Sequence, residues 1–272
     1  MPPLSSYMPT MNRADRRRQL KDDLRTVARG LDPDRADPVE VMALMRVLHD
    51  RVEEAKSARS IAPLMGFFHE NVRAAGRKAP TRFLACRMGC SHCCHAYVSA
   101  KAPEVLFVKR SLPSKEREAI RASVERTFAQ SGSLGVPERS RLSLPCPLLK
   151  DNACQVYGAR PLTCQMAASE SAEICARAFA PGAEAEDIPT FEFYISTRRG
   201  YSLALAGALR RAELSPRSYE LNAAMSAVLA RADAEAAWLS GEDVFAGVLE
   251  DPGGDPFAIP RNLRLYQAAW SQ

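Results

Sequence analysis

Outside residues 86–175 the chain has no cysteine, although eight lie within that window. Free structural cysteines behave as small buried hydrophobes and would be scattered through the helices. These are confined to one stretch, so ordinary packing does not account for them. No apolar run approaches the roughly 18–20 residues that a membrane span needs. The opening stretch MPPLSSYMPTMNRADRRRQ has no apolar segment ahead of a small-residue cleavage site, so a secretory signal is not expected. Asp15, Asp22 and Asp23 interrupt the basic run that a transit peptide would keep. The expectation is a reducing cytoplasmic location, where clustered cysteines serve as metal ligands or catalytic thiols rather than disulfides. Internal repeats and βα alternation are also missing, which argues against a parallel-sheet fold. No Gly-rich loop follows a strand, so a conventional S-adenosylmethionine fold is not supported.

What is present is the composition of a globular protein with a substantial core: 46% hydrophobic and 25% charged residues in a chain of 272. The formal charge of +5 is concentrated. Residues 80–180 hold 14 Lys/Arg against 8 Asp/Glu, leaving 23 against 24 elsewhere. Cations near thiols favour the thiolate form, so the excess sits where metal-bound sulfur would use it. A solvated surface explains it equally well, and it is too modest to argue for nucleic acid. The arginines at 13, 16, 17 and 18 are interleaved with acids at helical spacing and read as a solvated helix face.

The pattern predicts a mainly α protein with a central cysteine-rich, loop-rich metal-binding domain. Residues 1–11 are expected to be disordered, 12–79 helical, 80–180 the cysteine domain and 181–272 helical again. Helices are expected over about 12–30, 38–57, 61–75, 103–109, 114–129, 189–213, 216–231 and 233–249, with a short one ending near Trp270. The second has the clearest start: Asp37 as cap, Pro38 in the first turn and Glu40 at capping-box spacing. Val41, Leu44, Met45, Leu48 and Val52 then recur with helical period. The stretch SGSLGVPERSRLSLP is expected to be a loop. His49 and His69 lie on helices away from any cysteine in sequence and read as surface or core residues.

The candidate ligands fall in two groups. The first is Cys86, Cys90, Cys93 and Cys94, a C-x3-C-x2-C-C spacing that lets a tight loop turn several sulfurs inward. Gly89 within it tolerates positive φ. The second is Cys146, Cys154, Cys164 and Cys175, with Asp151-Asn152 as a turn that lets Cys146 and Cys154 approach each other. Four thiolates satisfy one tetrahedral zinc or one iron–sulfur cluster, so eight suffice for two centres. Adjacent Cys93 and Cys94 are awkward on a single ion and easier to place on a cluster or on two centres. His92 and His95 are available as ligands or as hydrogen-bond donors to thiolates. Cys86-x3-Cys90-x2-Cys93 also has the ligand spacing of radical-SAM enzymes. That reading requires a β/α barrel, whereas the preceding segment here is helical and no βα repeats follow.

Cys86–His95, then CPLLKDNACQVYGARPLTC at 146–164, resemble the YkgJ-type cysteine-cluster family, the CxxCxxCC zinc- or iron-chelating domain. The order Cys146-Pro-Leu-Leu, Cys154-Gln-Val-Tyr and Arg160-Pro-Leu-Thr-Cys164 matches the family's segments, and Cys175 fits its last cysteine. The first gap is three residues where the family has two. The resemblance covers about residues 82–178 and implies bound zinc or an iron–sulfur cluster, held by these eight cysteines. The family includes flagellin lysine N-methylases, so the resemblance also admits an enzyme acting on protein lysine, or a structural zinc module in a binding protein. The protein partner or substrate is left open. Arg160 and Pro161 are read as positioning the loop.

Overall fold

Helix α1 (Arg13–Val27) starts where Asn12 accepts the Ala14 and Asp15 amides, and its arginines 13, 16, 17 and 18 face solvent. The computed structural model describes residues 12–28, 30–31, 37–79, 81–87, 89–184, 186–251, 253 and 255–271. The 1–11 tail, expected to be disordered, lies outside these. In α2 (Pro38–Ala58) the Asp37 side chain accepts the Val39 amide and Pro38 occupies the first turn, as the sequence predicts. The periodic residues Val41, Leu44, Met45, Leu48 and Val52 are all buried. Their stripe packs on α9 (Glu192–Arg211), with α1 and α3 (Ala62–Gly76) on its flanks. Gly207 lies where an added Cβ would stand 2.3 Å from Met45 Sδ, so glycine lets α9 approach α2 closely.

Two buried polar contacts fix this bundle. Arg46 grips Asp23 with two bonds of 2.7 Å, joining α2 to α1. The Tyr201 hydroxyl donates to Asn71 Oδ1 at 2.6 Å and accepts the Leu31 amide, while Asn71 Nδ2 donates to the Val27 carbonyl. Burial makes such satisfied groups hard to replace, because removing one partner orphans the other. Gly30 turns the chain between α1 and α2 at φ +73°, against the backbone of Ala75.

The cysteine region lies between these packed ends of the chain. β1 (Ser99–Lys101) leads into α4 (Ala102–Arg110) and α5 (Arg117–Ser131), and α6 (Val136–Leu142) follows. Then come β2 (Leu149–Lys150), β3 (Ala153–Cys154), α7 (Leu162–Gln165) and α8 (Ala172–Ala178). After α9 come β4 (Ser218–Glu220), α10 (Leu221–Leu229), α11 (Ala234–Leu239) and α12 (Pro260–Trp270). β1 and β4 pair antiparallel with Ala100 opposite Tyr219, and β2 and β3 form a hairpin with Leu149 opposite Cys154. The architecture is mainly α, as expected, and one hydrophobic core runs from Val27 through Leu106 and Leu162 to Ala269.

Three local expectations need correction. The stretch read as a loop before Cys146 contains α6, whose Pro137 sits in the first turn and whose Arg139 is buried. Residues 218–220, expected to be helical, are extended, because β4 pairs with β1 before α10 begins. The helix expected over 233–249 stops at Leu239, where Gly241 takes φ +95°. Among the described residues, no helix is long and apolar enough to cross a membrane.

Candidate metal centre

Backbone contacts bring the two cysteine groups together. A 3-10 turn over His92–His95 carries Cys93 and Cys94, and the Cys94 carbonyl accepts the Cys146 amide at 2.8 Å. Gly89 takes φ +85° between Cys86 and Cys90, the left-handed position expected of it. Asp151 and Asn152 both take left-handed conformations, φ 50° and 59°, and close the β2–β3 hairpin. That hairpin places Cys154 near Cys146, as its turn signal predicts. The Ser91 hydroxyl donates to Asn152 Oδ1 at 3.1 Å, tying the first loop to the hairpin tip.

Cys86 is held by the segment that follows Cys164. The Ser169 amide donates to Cys86 Sγ at 3.3 Å, and the Ala85 amide donates to the Ser169 carbonyl at 2.9 Å. Cys175, on α8, is buried, and α8 packs on the His92–His95 turn. Cys86 is exposed and the other six are half-buried. All eight are free thiols.

The thiols influence one another electrostatically in two overlapping groups. Cys86 feels Cys90, Cys93 and Cys175. Cys164 feels Cys146, Cys93 and Cys154. Cys93 belongs to both and is hydrogen-bonded to Cys94, a contact that with burial drives its pKa far upward. Burial pushes the Cys86, Cys154 and Cys164 thiols up, and Cys146 up to about 11. Arg160 opposes this at Cys93, Cys154 and Cys164. Its guanidinium carbon lies 3.7 Å from the Tyr157 ring centroid, and its Nε donates to the Tyr157 carbonyl. Arg139 has the same sense at Cys146, and its Nε and Nη1 are buried without a hydrogen-bond partner. The positive excess noted in the sequence is therefore represented at the thiols by two arginines. Most of the other cations point elsewhere: Lys109, for instance, donates to the Arg231 carbonyl at 2.5 Å.

As it stands, no group of three or more His, Cys, Asp or Glu side chains among the described residues is arranged to hold a metal ion. The donor chemistry still fits a thiophilic metal: eight uncrosslinked sulfurs share one neighbourhood, with arginine charge beside them. His92 and His95 lie within that neighbourhood, half-buried, with His95 Nδ1 3.3 Å from the His92 carbonyl.

Comparison with known families bears on this constellation directly. A family model named CxxCxxCC, described as a "putative zinc- or iron-chelating domain", matches residues 85–180. Those residues match the CxxCxxCC domain. It encloses all eight cysteines and both arginines just described, and the zinc or iron of its description agrees with the cofactors the sequence implies. Neither the comparison with curated proteins nor that with solved structures found a match.

Several residues that shape the CxxCxxCC domain escaped the motif reading. Buried Glu104 is the most consequential. One carboxylate oxygen accepts the Lys101 amide at 2.8 Å, and the other accepts the Leu162 amide at 2.7 Å, two residues before Cys164. Thr163 donates its hydroxyl proton to the Ser99 carbonyl at 2.8 Å, fixing the same segment to β1. Pro103 followed by Glu104 is a helix-start signal, and could have flagged the first of these bonds but not the second.

His69 supports the segment from outside the domain. It lies on α3, buried, with Gln165 Nε2 donating to its Nδ1 at 3.2 Å and Phe107 4.9 Å away centroid to centroid. Gln165 Nε2 also donates to the Arg160 carbonyl at 2.8 Å. Burial lowers the His69 pKa to about 4. The unfolded chain, with an ordinary value near 6.5, takes up a proton that the folded chain refuses between these limits. Stability from neutral His69 is thus complete above pH 6.5 and is lost as pH falls toward 4. Between pH 7 and 5 the wild type should lose about 2 kcal/mol more than His69→Leu, measured by urea unfolding of metal-free protein. Equal losses would show that His69 accepts a proton in the fold.

Proposed function

We propose that the cysteines at 86, 90, 93, 94, 146, 154, 164 and 175 act as thiolate ligands for an iron–sulfur cluster or zinc, inside a helical shell that limits water access. The observation that carries this reading is the Cys146 amide donating to the Cys94 carbonyl at 2.8 Å, which brings the two cysteine groups together. When bound, the metal supplies a positive charge that stabilises thiolates and a covalent tie between distant parts of the chain. The chain's own contributions are separable. The Ser169 amide donates to Cys86 sulfur, Arg160 places positive charge by three thiols, and Glu104 fixes the backbone before Cys164. Because burial keeps several thiols protonated, loading expels protons and tightens as pH rises.

Cysteine alkylation followed by mass spectrometry tests the reading site by site. In protein purified anaerobically, Cys90, Cys93, Cys94, Cys146, Cys154 and Cys164 are expected to react at least tenfold more slowly than after chelation. Identical rates before and after chelation would contradict the ligand assignment.

A further inference from the structure

A cavity of about 840 Å³ lies beside the cysteine centre and is not part of it. Its floor includes Leu162 and Thr163, immediately before Cys164, with Ser99 and Lys101 of β1. Its walls are largely apolar, from Leu31 and Val41 on one side to Leu203 and Leu265 on the other. This is the size and character of a small-molecule site.

Five acids and four bases line the cavity, and the exposed charges among them are Arg198, Arg199 and Arg261 against Glu192. Three of its acids already hold backbone or side-chain partners: Asp37 takes the Val39 amide, Glu104 takes two amides, and Asp251 takes the Gly253 amide and lies against the Tyr97 hydroxyl. Glu192 stands exposed at the rim, and Glu40 has its own interactions. By contrast, Arg198, Arg199 and Arg261 line the opening, are exposed, and form no ion pair among the described residues. Helix α12, 11 residues long, also begins at the cavity, and its N-cap residue Ile259 provides no side-chain cap. Its N-terminal partial charge adds to the arginines. Deep in the cavity, Lys101 is 4% exposed, and its ammonium donates to the Pro216 carbonyl and Ser218 Oγ.

We propose that this cavity binds an amphipathic organic carboxylate, with its head at Arg198, Arg199 and Arg261 and its apolar body against Leu31, Val41, Leu203 and Leu265. Guanidinium pairs with carboxylate through two parallel bonds, and the apolar walls favour a hydrocarbon body over a small polar anion. The proposal does not depend on the metal centre. The adjacency of floor and Cys164 places the ligand next to it.

Isothermal titration of the full-length protein with octanoate, 1-octanol and octylammonium tests the site. Octanoate is expected to bind saturably and at least tenfold more tightly than either other probe. The triple variant Arg198→Ala, Arg199→Ala, Arg261→Ala, which changes only exposed side chains, should weaken octanoate at least tenfold and leave octanol unchanged. Leu203→Trp, checked for folding by circular dichroism, should weaken octanoate by obstructing the apolar wall. Absence of saturable octanoate binding, equal affinity for the three probes, or full octanoate affinity in the triple variant would overturn the proposal.

Discussion

Cys154→Ser is expected to lose most of the bound metal and to unfold at the temperature of chelated wild-type protein. Cys154 ends the β2–β3 hairpin, and its thiol is coupled to Cys93 and Cys164. Serine is close in size, so packing is nearly preserved while a thiolate is removed. Metal binding is folding free energy when the site does not exist in the unfolded chain, on the order of 10–16 kcal/mol for structural zinc in small peptides. A fraction of that, several kcal/mol, is enough to dominate a domain of ordinary stability. Cys90→Ser should behave alike from the other cysteine group. The informative comparison is thermal unfolding of wild type and variants with and without chelator. Chelation should lower the wild-type transition to the variants' value and leave theirs unmoved. Full metal content in both variants would contradict their assignment as ligands.

The second large effect is expected from Glu104→Ala, at a residue that touches no sulfur. Its two oxygens satisfy the Lys101 and Leu162 amides, both buried. Burial raises its pKa, and the amide bonds and Lys101 work in the opposite direction. Alanine leaves two amides orphaned and removes the nearest compensating charge from buried Lys101. Breaking such an arrangement costs about 3–5 kcal/mol. Glu104→Gln keeps one acceptor and is expected to lose less. Urea unfolding of the chelated proteins measures the cost without a contribution from metal. Alkylation of Cys164 should accelerate in Glu104→Ala, because the backbone before it is released. A loss below about 1 kcal/mol would show that the two amides find other partners.

The features legible in the sequence were those set by neighbouring residues. Asp37 caps its helix, Asp151-Asn152 closes the hairpin and Gly89 takes its left-handed turn, all from local stereochemistry. Helical periodicity marked the buried stripe of α2 because one face of one helix defines it. What escaped depends on distant partners. Residues 218–220 are extended only because β1, more than a hundred residues earlier, pairs with them. Helix α6 looked like a loop from its Ser, Gly and Pro content. Its end is fixed by Ser143 donating to the Phe179 carbonyl and Gly182 donating to that of Arg141. The eight candidate ligands could be named from spacing and family resemblance. The residues that hold their segments, Glu104, Ser169, His69 and Gln165, lie outside every cysteine motif and meet only in three dimensions.

Bound metal is expected on the cysteines of residues 86–175. Quantitative zinc, iron and acid-labile sulfide analysis of anaerobically purified protein tests it most directly. At least one zinc, or iron with matching sulfide, is expected per chain, falling sharply in Cys154→Ser and Cys90→Ser. Protein free of both metals, with all eight thiols titrating at the rate of unfolded protein, would contradict it.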